Sequence, residues 1–185
     1  MRLLSVDLEV GKRSGRIHAL AAVHEDGDVL TRSRIKAREL SEALAELDGF
    51  ARGAGCLVGH NLTDFDIPHL RAAAPDLELL RLPVLDTLRL SPLAFPANPY
   101  HRLVKHYQDG AIVRGQVNDP RLDADATLEL LADERSAFVE ADRDLVLAWH
   151  WLATIGADSG GYDRLFAEIR GVDLPRFSGQ FTFGA

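Results

Sequence analysis

The stretch Leu3-Leu4-Ser5-Val6-Asp7-Leu8-Glu9 places two acidic residues at the end of an apolar run. Its composition favours a β-strand, and we predict that this strand is buried. Side chains two residues apart point to the same face of a strand, so Asp7 and Glu9 project side by side. Carboxylates in such a setting repel each other and are poorly solvated, and a bound cation offsets both effects. An isolated Asp-x-Glu pair is also typical of an exposed strand edge without a ligand.

Two later segments add acidic residues in settings that suit the same kind of site. The run Asn61-Leu62-Thr63-Asp64-Phe65-Asp66 follows Gly59-His60, and Asp123-Ala124 begins a predicted helix. Two divalent ions about 4 Å apart can hold the attacking water and the leaving oxygen of a phosphodiester, and such ions prefer carboxylate oxygens. We therefore interpret four acidic residues from three segments as the metal ligands of a phosphodiesterase site: Asp7, Glu9, Asp66 and Asp123.

The order and spacing of these motifs resemble those of the DEDD exonucleases, the superfamily of polymerase proofreading subunits. The resemblance extends from about Leu3 to Leu131, and its most specific part is Gly59-His60-Asn61 followed by Phe65-Asp66. It implies an α/β chain with the RNase H-like (DnaQ-like exonuclease) fold, in which helices flank a central mixed five-stranded sheet. It also implies two Mg²⁺ or Mn²⁺ ions and 3′-to-5′ exonuclease activity that releases nucleoside 5′-monophosphates. Asn61 and Phe65 are then expected to shape the substrate site, with Phe65 or Leu8 against a terminal base.

The third motif departs from the family at the position of the general base. In the commoner branch a His stands five residues before the third-motif Asp, where this chain has Asn118, and the other branch has a Tyr where this chain has Asp119. Asn cannot accept a proton from the attacking water. Three explanations stay open: His101 or His106 serves as the base, a metal-bound hydroxide attacks without a protein base, or catalysis has been lost.

Alternation and turn residues predict a three-stranded meander at the start of the chain, with strands at Leu3–Leu8, Ile17–Val23 and Val29–Ile35. Apolar residues at helical spacing predict a helix over 37–51. The other predicted elements are a strand at 56–58, a helix from about Thr63, a strand at 82–86, a loop over 91–99, a helix near 101–108, the third-motif helix at Asp123, a strong helix within 137–155 that carries Trp149 and Trp151, and a short helical segment after Gly160-Gly161.

The resemblance divides the chain into an exonuclease-like core over residues 1–135 and a C-terminal helical extension over residues 136–185. The sequence ends in Gly-Gln-Phe-Thr-Phe-Gly-Ala, whose two aromatic residues predict an excised edge of a larger protein. The segments 98–105 and 117–120 resemble the exonuclease-type domains fused to RecQ-like DNA helicases, which implies a helicase domain in the same polypeptide.

Composition favours a single domain, because 185 residues with 46% hydrophobic content can bury a substantial core. The one cysteine, Cys56, lies in an apolar run and is expected in that core, so a disulfide scaffold and a zinc cluster are excluded. No apolar stretch approaches the about 20 residues of a membrane span, and the start is not signal-like, so we expect a cytoplasmic protein without a membrane partner.

A net charge of −7 decides little about nucleic-acid binding, because four of the acids would be neutralised by metal ions. Arg102 and Lys105 lie on one predicted helix and are the expected phosphate contacts. The expected partner is the 3′ end of single-stranded DNA or RNA, with DNA favoured. Asn118 supports an alternative from a different class: a catalytically weak or inactive module that binds nucleic acid and docks a helicase or repair protein.

Overall fold

A computed structural model describes residues 1–27, 29–35, 39–103, 119–155 and 159–171. Among these residues the chain forms five β-strands and six α-helices, which confirms the predicted α/β class. The elements are β1 Arg2–Val10, β2 Ile17–Asp26, β3 Val29–Ile35, α1 Leu40–Phe50, β4 Cys56–Gly59, α2 Asp66–Ala73, β5 Val84–Asp86, α3 Thr87–Ala94, α4 Pro120–Glu140, α5 Arg143–Ala153 and α6 Gly160–Arg170.

The five strands form one mixed sheet in the order β3-β2-β1-β4-β5. The predicted meander is confirmed, because β1 pairs antiparallel with β2 and β2 pairs antiparallel with β3. The strands β4 and β5 continue the sheet in parallel with β1, with Ser5 opposite Val58 and Gly59 opposite Asp86. The carboxyl ends of β1, β4 and β5 therefore meet at one edge, which brings the first two acidic motifs together.

The two faces of β1 pack against different helices because its side chains alternate. Leu4, Val6 and Leu8 belong to a buried cluster with residues of α1 and α2. On the other face, Leu3 belongs to a second cluster with residues of α4 and α6. Buried Ser5 also faces α4 and donates a hydrogen bond of 2.8 Å to the carbonyl oxygen of Ala124. Asp7 and Glu9 share this parity with Ser5, so they project on the side where α4 begins.

Helix caps begin two helices after the sheet, one that the sequence did not predict and one that it did. The segment after β5, whose second half falls in the loop predicted over 91–99, is the helix α3, which begins because the Asp86 carboxylate accepts a hydrogen bond of 3.1 Å from the backbone N–H of Leu88. The strong helix predicted within 137–155 is confirmed as α5, which carries Trp149 and Trp151. Asp142 caps α5 by accepting hydrogen bonds from the N–H groups of Asp144 and Leu145, at 2.8 and 3.4 Å.

The C-terminal helices share the core with the sheet. α4 runs through the predicted boundary at residues 135 and 136, and Phe166 of α6 lies in the same buried cluster as Leu85 of β5. Gly161 allows this close packing, because a Cβ at that position would collide with the carbonyl group of Val84. Of the helices that the structure describes, none is long and apolar enough to span a bilayer.

Candidate functional site

A cleft of about 610 Å³ lies at the carboxyl edge of the sheet. The end of β1 and the loop after it form one wall, and the start of α2 and the start of α4 contribute the others. Its lining includes three acidic side chains, three aromatic or imidazole rings and one cation: Asp7, Glu9, Asp123, His60, Phe65, His69 and Lys12.

The three acidic side chains of the cleft converge from two distant segments. Asp7, Glu9 and Asp123 each present a carboxylate oxygen within 4.8 Å of the other two. β1 sets the first two side by side, and the hydrogen bond between Ser5 and Ala124 ties the first turn of α4 to the same strand. Oxygen ligands at this spacing suit a hard divalent cation such as Mg²⁺ or Mn²⁺. The donor set therefore fits the kind of ion that the sequence predicts.

Asp66 lies next to this cluster but is more deeply buried, with 3% of its surface exposed. Its Oδ1 accepts a hydrogen bond of 3.1 Å from the backbone N–H of Leu8, the residue between Asp7 and Glu9. This N–H is available because β1 continues beyond its pairing with β4. Burial raises the pKa of Asp66 to about 7, and the negative charge of Asp86 adds to the rise. Among the described residues, the group of carboxylate oxygens within 4.8 Å of one another comes from Asp7, Glu9 and Asp123 and does not include Asp66. A metal-binding role for Asp66 therefore stays a prediction.

Asp86 holds the turn that carries the second motif, although the sequence did not single it out as a functional residue. It is 1% exposed, and its carboxylate accepts hydrogen bonds of 2.9 Å from the backbone N–H groups of both Asn61 and Thr63. Asn61 has a φ of 65°, so the chain reverses sharply there. Gly59 assists, because a Cβ on it would lie 2.7 Å from that of Leu62. An acidic residue at the junction of a strand and a helix was the available signal for this role.

His60 has both ring nitrogens engaged. Nε2 accepts a hydrogen bond of 3.1 Å from the backbone N–H of Leu103, so Nδ1 carries the proton and donates to Thr87 Oγ1 at 2.9 Å. The Thr87 hydroxyl in turn donates to the carbonyl oxygen of Gly59 at 3.3 Å. Burial lowers the pKa of His60, which favours this neutral form. His60 thus fixes the wall of the cleft and has no nitrogen available to accept a proton from water.

Phe65 and His69 form a pair of rings at the cleft. Their centroids are 4.7 Å apart with an interplanar angle of 48°, and Phe65 is 37% exposed. His69 Nδ1 lies 2.7 Å from the carbonyl oxygen of Phe65, a pure acceptor, so Nδ1 donates and Nε2 is left as the second nitrogen of the ring. Sequence reasoning missed His69, although its position four residues after Phe65 sets the two on one helical face.

Two other predicted site residues, His101 and Arg102, lie away from the acidic cleft. His101 Nδ1 lies 3.0 Å from Ser91 Oγ, and His101 and Arg102 line a separate cavity between α4 and the chain after α3. His101 is therefore not among the described residues that line the acidic cleft. Leu8 is 4% exposed and packs in the core, so its side chain has little surface to offer a base. Lys105, His106 and Asn118 are outside the described residues.

The acidic cleft and its ring pair are thus assembled from β1, β4, β5, α2 and α4 together. The predicted resemblance to the DEDD exonucleases rests on the sequence motifs alone. No protein-family model matches the chain, and a search of curated proteins finds no significant match.

Proposed function

We propose that this chain is a metal-dependent 3′-to-5′ exonuclease that hydrolyses phosphodiester bonds at single-stranded nucleic-acid ends, with DNA preferred. The observation that carries the proposal is the convergence of Asp7, Glu9 and Asp123 within 4.8 Å of one another at an open cleft. The products are nucleoside 5′-monophosphates. The mixed sheet with β1 at its centre is compatible with the RNase H-like (DnaQ-like) fold, which forms part of the same proposal.

Asp7, Glu9 and Asp123 would hold two Mg²⁺ or Mn²⁺ ions, with Asp66 as the fourth ligand from beside β1. Such ions supply charge stabilisation at the phosphate and a more acidic water. The chain itself orients these carboxylates: Asp66 is held by the N–H of Leu8, and the first turn of α4 is held by Ser5. Rigid placement of this kind is what a phosphodiesterase site requires.

The rest of the cleft supports a single-stranded substrate. Phe65 and His69 offer ring faces on which a base can stack. Because every base has a flat face, this contact does not depend on the nucleotide sequence. Lys12, at the loop after β1, provides a cation for a phosphate. Three explanations for the missing base stay open: a histidine serves as the base, a metal-bound hydroxide attacks without a protein base, or catalysis has been lost.

A second function is favoured by Asn118, which replaces the expected catalytic His. In this version the domain binds a strand end and docks a helicase or repair protein, with little or no turnover. The docked protein belongs to the same cytoplasmic polypeptide or to another. Both versions require the cleft to bind nucleic acid. They differ in whether the strand is degraded.

The deciding experiment is degradation of a 5′-labelled strand, as DNA and as RNA, with Mg²⁺ or Mn²⁺. We expect shortening from the 3′ end and a loss of about 100-fold or more in rate for Asp123→Asn. Asp125→Asn is the matched control, because it lies two residues further along α4, about 200° around the helix. The docking function is favoured if the wild type binds the strand without shortening it and the Asn118→His variant shortens it. Equal rates for the Asp123 and Asp125 variants would refute the metal site.

A further inference from the structure

A second cavity, of about 360 Å³, lies on the other side of α2 from the acidic cleft. His69 of α2 faces the cleft, whereas Ile67 and Arg71 of the same helix line the second cavity. Successive residues rotate by about 100° on a helix, so side chains two positions apart lie on nearly opposite faces. The two cavities are therefore separated by the thickness of one helix.

Three arginines from three different elements line this second cavity. Arg71 is in the last turn of α2, Arg81 ends a short 3₁₀ turn over Glu78–Arg81, and Arg89 is in α3. The described lining includes no acidic side chain. In a chain with a net charge of −7, such a concentration of guanidinium groups around a concave surface indicates an anion site.

The arginines keep most of their hydrogen-bonding capacity. Arg81 pairs with Glu78 at 2.9 Å and Arg89 approaches Asp64 at 3.5 Å, and the side chains of both pairs are more than half exposed. Exposed ion pairs of this kind contribute little and are easily exchanged for another anion. Arg71 forms no ion pair with any part of the chain that the structure describes. A guanidinium group has five N–H donors, so each arginine can still bind a phosphate oxygen.

The amino end of α6 borders the same cavity. Gly160, the first residue of α6, lines the cavity, and the side chain of its N-cap residue, Ser159, makes no capping hydrogen bond. The close packing of Gly161 on β5 brings this helix end to the cavity wall. A helix amino end favours a negative charge, but Asp163 in the first turn of α6 already supplies one, so the arginines alone define the site.

We propose that the cavity of Arg71, Arg81 and Arg89 binds a backbone phosphate of the strand whose 3′ end lies in the acidic cleft. This inference rests on the proposed function and adds a second contact upstream of the reacting end. A helix is about 10 Å across, and phosphates of one strand are spaced by about 3.4 Å along a helical axis, so about three nucleotides are enough to cross α2. Longer strands therefore reach both cavities, whereas a dinucleotide reaches only one.

The test compares two variants that remove the same charge. One is Arg71→Gln/Arg89→Gln, and the control is Arg52→Gln/Arg143→Gln, at two exposed positions outside both cavities. Binding of fluorescent dT2 and dT8 is measured by anisotropy with Ca²⁺, another oxygen-binding ion, in place of Mg²⁺. Strand length is checked after each titration. All variants replace exposed side chains, and circular dichroism confirms their folding.

We expect Arg71→Gln/Arg89→Gln to weaken dT8 binding about 10-fold and to lower the salt dependence of binding by about one to two released ions. Binding of dT2 stays within about 2-fold in the same variant, and the control changes neither ligand by more than that. Equal losses for dT2 and dT8, or equal losses in the control, would overturn the upstream site. The mononucleotide dTMP is titrated in parallel as a competitor, and a loss of its binding in Arg71→Gln/Arg89→Gln would likewise overturn the strand path, because the cavity would then hold a separate nucleotide.

Failure of this inference is distinguishable from failure of the exonuclease. If Arg71→Gln/Arg89→Gln binds dT8 as the wild type does and degradation depends on Asp123, the upstream site is refuted and the exonuclease proposal stands. If Arg71→Gln/Arg89→Gln weakens the binding of dT8 but not of dT2, and the wild type degrades no strand, the strand path is supported and the catalytic function is refuted.

Discussion

The Oδ1 atom of Asp66 accepts a hydrogen bond of 3.1 Å from the backbone N–H of Leu8, which joins the second acidic motif directly to the first. The bond replaces a sheet contact, because β4 ends while β1 continues past it. It also holds a carboxyl group in a nearly water-free position beside two other acids. Asp66 is therefore set in place before any metal binds, at a cost to the stability of the metal-free chain.

That cost leads to a prediction for Asp66→Asn. An amide oxygen can keep the hydrogen bond from Leu8, while the buried charge and its repulsion by Asp86 are removed. We expect the metal-free variant to be more stable than the wild type by about 1 to 2 kcal/mol in denaturant unfolding at pH 8. If Mg²⁺ binds as proposed, it should stabilise the wild type, and the Asp66→Asn variant should lose that stabilisation.

Asp64→Asn is the control for that measurement, because Asp64 stands two residues earlier and its side chain is 70% exposed. It should leave both the metal-free stability and the effect of Mg²⁺ within about 0.5 kcal/mol. An undiminished Mg²⁺ effect in the Asp66 variant would show that Asp66 is not a ligand.

Asp86 is expected to be the residue on which the second motif depends most. Replacing it by Ala leaves the N–H groups of Asn61, Thr63 and Leu88 without their acceptor, which should cost about 3 kcal/mol in unfolding free energy. Asp86→Asn keeps one acceptor oxygen and should lose about half as much. A turn that no longer positions Phe65 and Asp66 should also reduce strand degradation, even at temperatures where the variant stays folded. Full activity in folded Asp86→Ala would contradict this positioning role.

Glu134 predicts a dependence of stability on pH. It is fully buried in α4, and neither carboxyl oxygen has a hydrogen-bond partner among the described residues. Burial raises its pKa from 4.5 to about 9, and the charges of Asp86 and Asp133 add to the rise. The folded chain therefore holds this proton more tightly than the unfolded chain. The resulting stabilisation is complete below about pH 4.5 and is lost progressively as pH rises to about 9.

Glu134→Met removes this titration and fills a similar volume. We expect it to unfold at higher denaturant than the wild type at pH 7, by up to about 3 kcal/mol, with the difference shrinking toward pH 4.5. Glu140→Gln, at an exposed position of the same helix, should not alter the pH profile. A constant difference between Glu134→Met and wild type across this range would indicate that Glu134 is ionised in the folded chain.

The sequence predicted the parts of this site that depend on local pattern. Alternation along β1 placed Asp7 and Glu9 on one face, and the order of the motifs brought Asp123 to them. Asp86 offered a local signal only for its cap on Leu88, whereas its bonds to Asn61 and Thr63 and the burial of Glu134 depend on residues distant in the chain. The α3 helix was missed because Pro92 and the following loop residues outweigh its helical pattern, whereas its start depends on the Asp86 cap.

His69 offers a final choice between two roles. If its ring only supports stacking with Phe65, His69→Ala should raise the KM for a single strand by about 10-fold with little change in kcat, and His69→Phe should restore it. If Nε2 accepts the proton of the attacking water, both variants should lower kcat by about 100-fold. We expect the stacking result, because His69 lies on α2 against Phe65, and the hydrogen bond to the Phe65 carbonyl fixes the ring as part of that pair. Steady-state kinetics of both variants, with a strand of fixed length, decide between these roles, and a loss of kcat in His69→Phe would assign His69 to proton transfer.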